Sequence, residues 1–145
     1  MKRSTGFRNH VLATGSVKSA LDGKVIKVYA GTEPSSADDA IGSATLLVTI
    51  SVNGTGTGVT MNSSASGGQL SKNPSEVWKG VIANSGTAAF FRMETAADTG
   101  SASTSAIRLQ GNIALDGADL NFATLELVAT NERAINYFTV SLPAG

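Results

Sequence analysis

Hydrophobic and polar residues alternate along most of this chain. Thr45–Val52 places Leu46, Val48, Ile50 and Val52 on one face. Ile107–Leu115 sets Ile107, Leu109, Ile113 and Leu115 against Arg108, Gln110 and Asn112. Ala88–Glu94 puts Ala89, Phe91 and Met93 opposite Phe90 and Arg92. Phe122–Ala129 aligns Leu125 with Leu127, and Asn136–Leu142 aligns Phe138, Val140 and Leu142. Lys24–Ala30 is rich in β-branched residues, and Glu76–Ala83 carries Val77, Trp78, Val81 and Ile82. A period of two is the mark of strands that bury one side. Val59–Met61 and Gln69–Lys72 are weaker segments of the same kind.

Turn chemistry separates these runs. Asn84-Ser85-Gly86 and Asp116-Gly117 supply the residues that short hairpin turns require. A helical reading fits only Val17–Leu21, closed by Gly23, and Ser36–Ile41, which starts at a serine cap and ends at Gly42. Many short strands and little helix predict an all-β fold: an antiparallel β-sandwich, jelly-roll-like, with one or two short helical turns. An immunoglobulin-like sandwich is the second topology, although its cysteine pair is missing. The expected core holds Leu46, Val48, Ile50, Phe91, Leu109, Ile113, Phe138 and Val140. Strong strand signal starts near Lys24, so residues 1–16 read as an N-terminal extended arm and 17–145 as a single sandwich domain.

Composition narrows the function. The chain has 145 residues, enough for one domain with its own core. Only 15% are charged, and eleven basic residues balance eleven acidic ones. That argues against direct nucleic-acid binding, and low charge leaves self-association as a dimer or trimer weakly opposed. No apolar run is long enough for a membrane helix. Met1-Lys2-Arg3 resembles the start of a secretion signal, but Val11-Leu12-Ala13 is too short for the apolar stretch that should follow. A cytoplasmic site of synthesis is therefore expected.

Candidate chemistry is sparse. There is no cysteine and one histidine, His10, which sits in the expected arm. A catalytic triad needs a base held in place, and a histidine zinc site needs more than one histidine. Asp38 and Asp39 lack calcium-loop spacing and read as acids at a helix start. Glu76 with Glu94, or Asp116 with Asp119, are not singled out as a glycosidase pair. The glycines of Asn53–Gly58 lack the lysine and the βαβ setting of a phosphate loop. No catalytic residue, metal or cofactor is expected. The candidate residues belong instead to an interface. The arm joins Lys2, Arg3 and Arg8 to Phe7, Val11 and Leu12 without an acid, a mixture suited to docking. Phe90 and Phe91 point to opposite faces, so Phe90 is expected to need a cover outside the core.

Two stretches carry a resemblance. The first is Val11-Leu12-Ala13 with Ser19–Pro34 (SALDGKVIKVYAGTEP) and the acids after Ala37. The second is Gly117-Ala118-Asp119-Leu120 with Ile135–Val140 (INYFTV). Together they resemble small virion structural proteins of tailed bacteriophages. The resemblance implies a jelly-roll-like capsid cement or decoration protein that clamps the major capsid protein shell, sits on the virion surface and is assembled in the host cytoplasm. A neck or tail structural protein is the near alternative. A carbohydrate-binding or adhesion sandwich, with Trp78 as its candidate platform, is the other.

Overall fold

The computed structural model describes residues 1–144, so Gly145 of the expected domain lies outside the described residues. In chain order its elements are β1 (Lys2–Arg3), α1 (Thr5–Ala13), α2 (Val17–Leu21), β2 (Val25–Ala30), β3 (Thr45–Val52), β4 (Gln69–Ser71) and β5 (Trp78–Val81). There follow β6 (Gly86–Thr87), β7 (Phe90–Glu94), β8 (Leu109–Ala114), β9 (Leu120–Asn121), β10 (Glu126–Leu127), β11 (Glu132–Ile135) and β12 (Thr139–Ser141). One large sheet runs β1-β8-β7-β2-β3-β5-β11, with β9 parallel on β8 and the other pairs antiparallel. Two short ladders, β10–β6 and β12–β4, complete a sandwich-like, mostly β architecture.

The core lies on the inner face of the large sheet. Ile26 stands between Ile50 and Met93, and Val28 between Val48 and Phe91. Leu70, Leu127 and Val140 close over them from the short ladders. Phe138 meets the edge of Phe91 at 5.8 Å and tilts against Trp78 at 5.9 Å. Such aromatic pairs contribute beyond their buried area. Trp78 satisfies its ring N–H by donating to Glu76 Oε2 at 2.8 Å. Glu76 also accepts from the Thr60 backbone N–H and hydroxyl. Burial pushes this carboxyl up, but those hydrogen bonds and the charge of Lys72 outweigh it and leave the pKa low.

Residues 1–16 are not an extended arm. Lys2 and Arg3 pair with Gln110 and Leu109 as an edge strand, and Thr5–Ala13 is a helix whose Phe7 is buried in the core. Residues 2–13 therefore belong to the domain. The Ser4 hydroxyl explains how. It caps α1 by accepting from the Phe7 N–H, accepts again from the Arg108 N–H, and donates to Ala106 O. One fully buried side chain thus ends β1, starts α1 and fastens both to the approach to β8. Gly6 is needed here, because a Cβ would press on the carbonyl oxygens of Ser105 and Ala106.

Other expectations change in detail. The helical turn at Val17–Leu21 is present as α2, capped by Ser16, but Ser36–Ile41 is a turn and α1 is the second helix. Leu46 is not core. A β-bulge between β2 and β3 breaks the alternation, so Leu47 enters the core fully buried while Leu46, opposite Tyr29, is turned to the other face. The other expected core residues, Val48, Ile50, Phe91, Leu109, Ile113, Phe138 and Val140, are all buried. The two expected hairpins do not form. β6 pairs with β10 rather than β5, and β9 returns parallel to β8 after Asp116-Gly117.

Candidate functional site: a polar sheet face under two loops

The outer face of β2, β7 and β8 carries Lys27, Tyr29, Phe90, Arg92, Glu94 and Gln110, with Arg108 just before β8. Registers bring them into rows: Tyr29 lies beside Phe90, and Lys27 beside Arg92, which in turn lies beside Gln110. This face would ordinarily meet water. Instead Lys27, Arg92, Glu94, Arg108 and Gln110 are all buried, because the loops of residues 31–44 and 95–108 fold over them.

The side chains hold these loops by their backbone carbonyls. Gln110 Nε2 donates to Pro34 O at 2.8 Å, Arg92 Nη1 to Asp39 O at 3.1 Å, and Lys27 Nζ to Asp98 O at 2.7 Å. Arg108 Nη1 donates to Ala37 O at 3.3 Å and Nη2 to Ser101 O at 2.8 Å. The loops also bind each other, through Ile41 N to Gly100 O and Ser103 N to Asp38 O, both 2.8 Å. Asp38 then accepts from the Thr5 N–H and hydroxyl, which joins loop to helix α1. A segment as small and polar as residues 95–106 is thereby fixed by partners of high charge rather than by its own packing.

Electrostatics follow from burial. Arg108 is held strongly protonated, first by its hydrogen bonds to Asp98 and then by the charges of Asp98 and Glu94. Burial pushes the Asp98 carboxyl up, but the donors Arg108 and Gly100 and the charge of Lys27 bring it below the usual range. Burial dominates at Glu94 and raises it, against the pull of Lys27 and Arg92. Lys27 Nζ lies 2.9 Å from Glu94 Oε1 and Arg108 Nε 3.6 Å from Oε2, yet neither carboxylate oxygen has an aligned hydrogen-bond donor among the described residues. Arg92 is lowered by burial and by the neighbouring Arg108. A face so enclosed works as an internal frame, since buried ion pairs of this kind cost much to break.

The frame opens at one place. A cleft of about 520 Å³ lies between residues 40–46 and 98–101, lined by Lys27, Tyr29, Ile41, Ala44, Leu46 and Ser101 among others. Tyr29 stacks on Phe90 with ring centroids 5.1 Å apart and planes at 12°. Its phenol is pushed up, first by burial and then by the charge of Glu94.

The structure scatters the residues expected at an interface. Phe7 is in the core, and Val11 packs against its edge. Phe90 is fully buried, covered by its own chain. Lys2 pairs with Glu33 at 2.9 Å, and Arg3 donates to Ser141 O. Only Arg8 and Leu12 still point outward, Leu12 at 83% exposure. His10 touches Ser19 Oγ at 2.9 Å, but Ser19 is occupied in the cap of α2, and no described carboxylate bonds the other ring nitrogen. Among the described residues, no cluster of three histidines or acids is placed to hold a metal. What the interface reading missed was the polar face itself. Part of its signal was in the alternation, which already aligned Phe90 with Arg92, and Arg108 with Gln110.

Comparison with known protein families, with curated proteins and with solved structures finds no match.

Proposed function

We propose that this chain is a virion structural protein, a capsid cement or decoration protein of a tailed bacteriophage that binds and stabilises the major capsid protein shell. It would reside on the capsid surface, after assembly in the host cytoplasm. The observation that carries this reading is the distribution of apolar surface. Leu12, Val77, Val81, Leu115, Val128, Tyr137 and Leu142 are all more than half exposed, and they lie on different elements around the body. Single exposed apolar residues are ordinary, but a set spread over several sides suits a protein that touches several neighbours at once. The loops pinned on the polar face support it too, because they present a large surface at little further cost in ordering. Self-association as a dimer or trimer belongs to the same proposal. It now rests on this apolar surface and not on Phe90, which its own chain covers.

The test is direct. Mass spectrometry of purified particles should find the chain in stoichiometric amounts. Purified protein should sediment with shells lacking it and raise the temperature at which they open. Absence from particles together with no binding to shells would overturn the reading. Presence on the neck or tail alone would move it to the near alternative.

One observation favours the carbohydrate-binding reading. Tyr137 is 72% exposed beside a groove of about 420 Å³ lined by Asn121, Phe122, Arg133 and Asn136. Trp78, the platform expected for that function, is buried in the core. Glycan binding that is lost in Tyr137→Ala would favour this second reading.

A further inference from the structure

The outer face of β2, β7 and β8 is a carbonyl-binding surface. Its donors Lys27, Arg92, Arg108 and Gln110 each reach a peptide oxygen of the two loops above. The loops stop short of Tyr29. Its ring is buried and lines the cleft, and its hydroxyl, open to solvent there, has no protein partner among the described residues. Stacking on Phe90 fixes the ring, so the hydroxyl is aimed before anything arrives. Beside it stand the apolar side chains of Ile41, Ala44 and Leu46. Leu46 is there because the β-bulge turned it out of the core.

The charges nearby choose the occupant. Asp98 is spent on Arg108 and on the Gly100 N–H, and Lys27 is spent on Asp98 O and Glu94. Among the described residues no unpaired cation lines the cleft, and an entering anion would stand near both Glu94 and Asp98. A sugar would find polar partners on the side of Thr99 and Ser101 but none for Ile41, Ala44 and Leu46. A neutral carbonyl carried on an aliphatic body fits both halves. It is also an acceptor that Lys27, Arg92, Arg108 and Gln110 each already bind.

We propose that the cleft is a binding site for a peptide segment. A backbone carbonyl of that segment accepts a hydrogen bond from the Tyr29 hydroxyl, and a small aliphatic side chain rests on Ile41, Ala44 and Leu46. The volume lies within the range of small-ligand pockets, about 300–1,000 Å³. The inference goes beyond the capsid reading and stands without it, since any protein with an accessible extended segment supplies this chemistry.

The experiment is an amide NMR titration of the full chain with three probes: N-acetyl-leucine methylamide, isovalerate and methyl glucoside. The first should shift Gly42, Gly100 and Ser101 saturably. Tyr29→Phe, which keeps the ring stacked, should weaken that binding about fivefold, as expected for one hydrogen bond, with the melting temperature unchanged. Ala44→Leu, which fills the cleft, should abolish it. Isovalerate or the glucoside shifting these amides more strongly would overturn the assignment. So would a failure of the peptide probe to saturate, or binding that Tyr29→Phe and Ala44→Leu both leave intact. Shell binding is measured separately, so either proposal can fail alone.

Discussion

Replacing Ser4 by Ala removes a single oxygen atom and should cost far more than an ordinary helix cap. The hydroxyl has three partners: the Phe7 N–H at 3.0 Å, the Arg108 N–H at 2.9 Å and Ala106 O at 2.7 Å. Losing a serine cap costs about 1 kcal/mol. Here the site is sealed, with Ser4 at 0% exposure, so the Arg108 N–H and Ala106 O are also left without water. An orphaned buried group adds about 1–3 kcal/mol. With two such groups the expected total is about 3–7 kcal/mol. Ser16 is the internal control. It caps α2 in the same way, through the Ser19 N–H, but it is exposed, and water can replace it. Ser16→Ala should cost about 0.5–1 kcal/mol. Urea unfolding followed by tryptophan fluorescence reports both, since the one tryptophan, Trp78, is in the core. With a slope of about 1–3 kcal/mol per molar, Ser4→Ala should lower the midpoint by about 1 M or more. Equal losses in the two variants would refute the claim that Ser4 joins helix to sheet.

Other expectations follow from the same packing. Deleting residues 2–12 should prevent stable folding, because it removes β1, Ser4 and the buried Phe7; Phe7→Ala alone should cost about 3–5 kcal/mol by thermal unfolding. A truncated chain that melts like the intact one would restore the dispensable arm. Leu47→Ala should cost about 2–5 kcal/mol and Leu46→Ala about 1 kcal/mol or less, and the reverse order would place the bulge wrongly. Glu76 has a folded pKa below its unfolded value, so its stabilisation is present above the ordinary glutamate range and is lost as pH falls through the folded pKa. Glu76→Gln should therefore be less stable near neutrality and show a shallower acid loss. Parallel curves for the two proteins between pH 5 and 3, a window of about two units around the ordinary glutamate value, would show that its low pKa does not contribute.

Much of the sandwich was legible because a half-buried strand writes its inner face in every second residue. β3, β7 and β8 were read that way, and the expected core of Val48, Ile50, Phe91 and Leu109 is buried. Three things were not legible, each for a physical reason. Helix α1 has no acid in its first turn, carries Gly6 inside it and is held by contacts far along the chain, so local propensity is silent about it. The bulge at Leu47 shifts the alternation by one residue, which no period can announce. Strand alternation also says which residues share a face but not what covers it. Arg92, Arg108 and Gln110 were rightly set on the side away from the core. Alternation alone could not show that two loops of small polar residues bury them there. The partnership of Glu76 with Thr60 was invisible for a similar reason, since it joins separate loops.

The Ser4 junction also imposes an order in time. Its bonds to Ala106 and Arg108 span 102 and 104 residues of chain. On a ribosome, helix α1 leaves the exit tunnel 102 to 104 residues before the segment that its cap holds. Until then Phe7 has no complete core to enter and must stay exposed or find a temporary shelter. Contacts so distant slow folding, because the long loop must close before they reward it. The nascent chain therefore carries an unshielded aromatic while the intervening residues are made, which is a natural point of engagement for a chaperone. The Ser4 junction cannot close before the approach to β8 has been made.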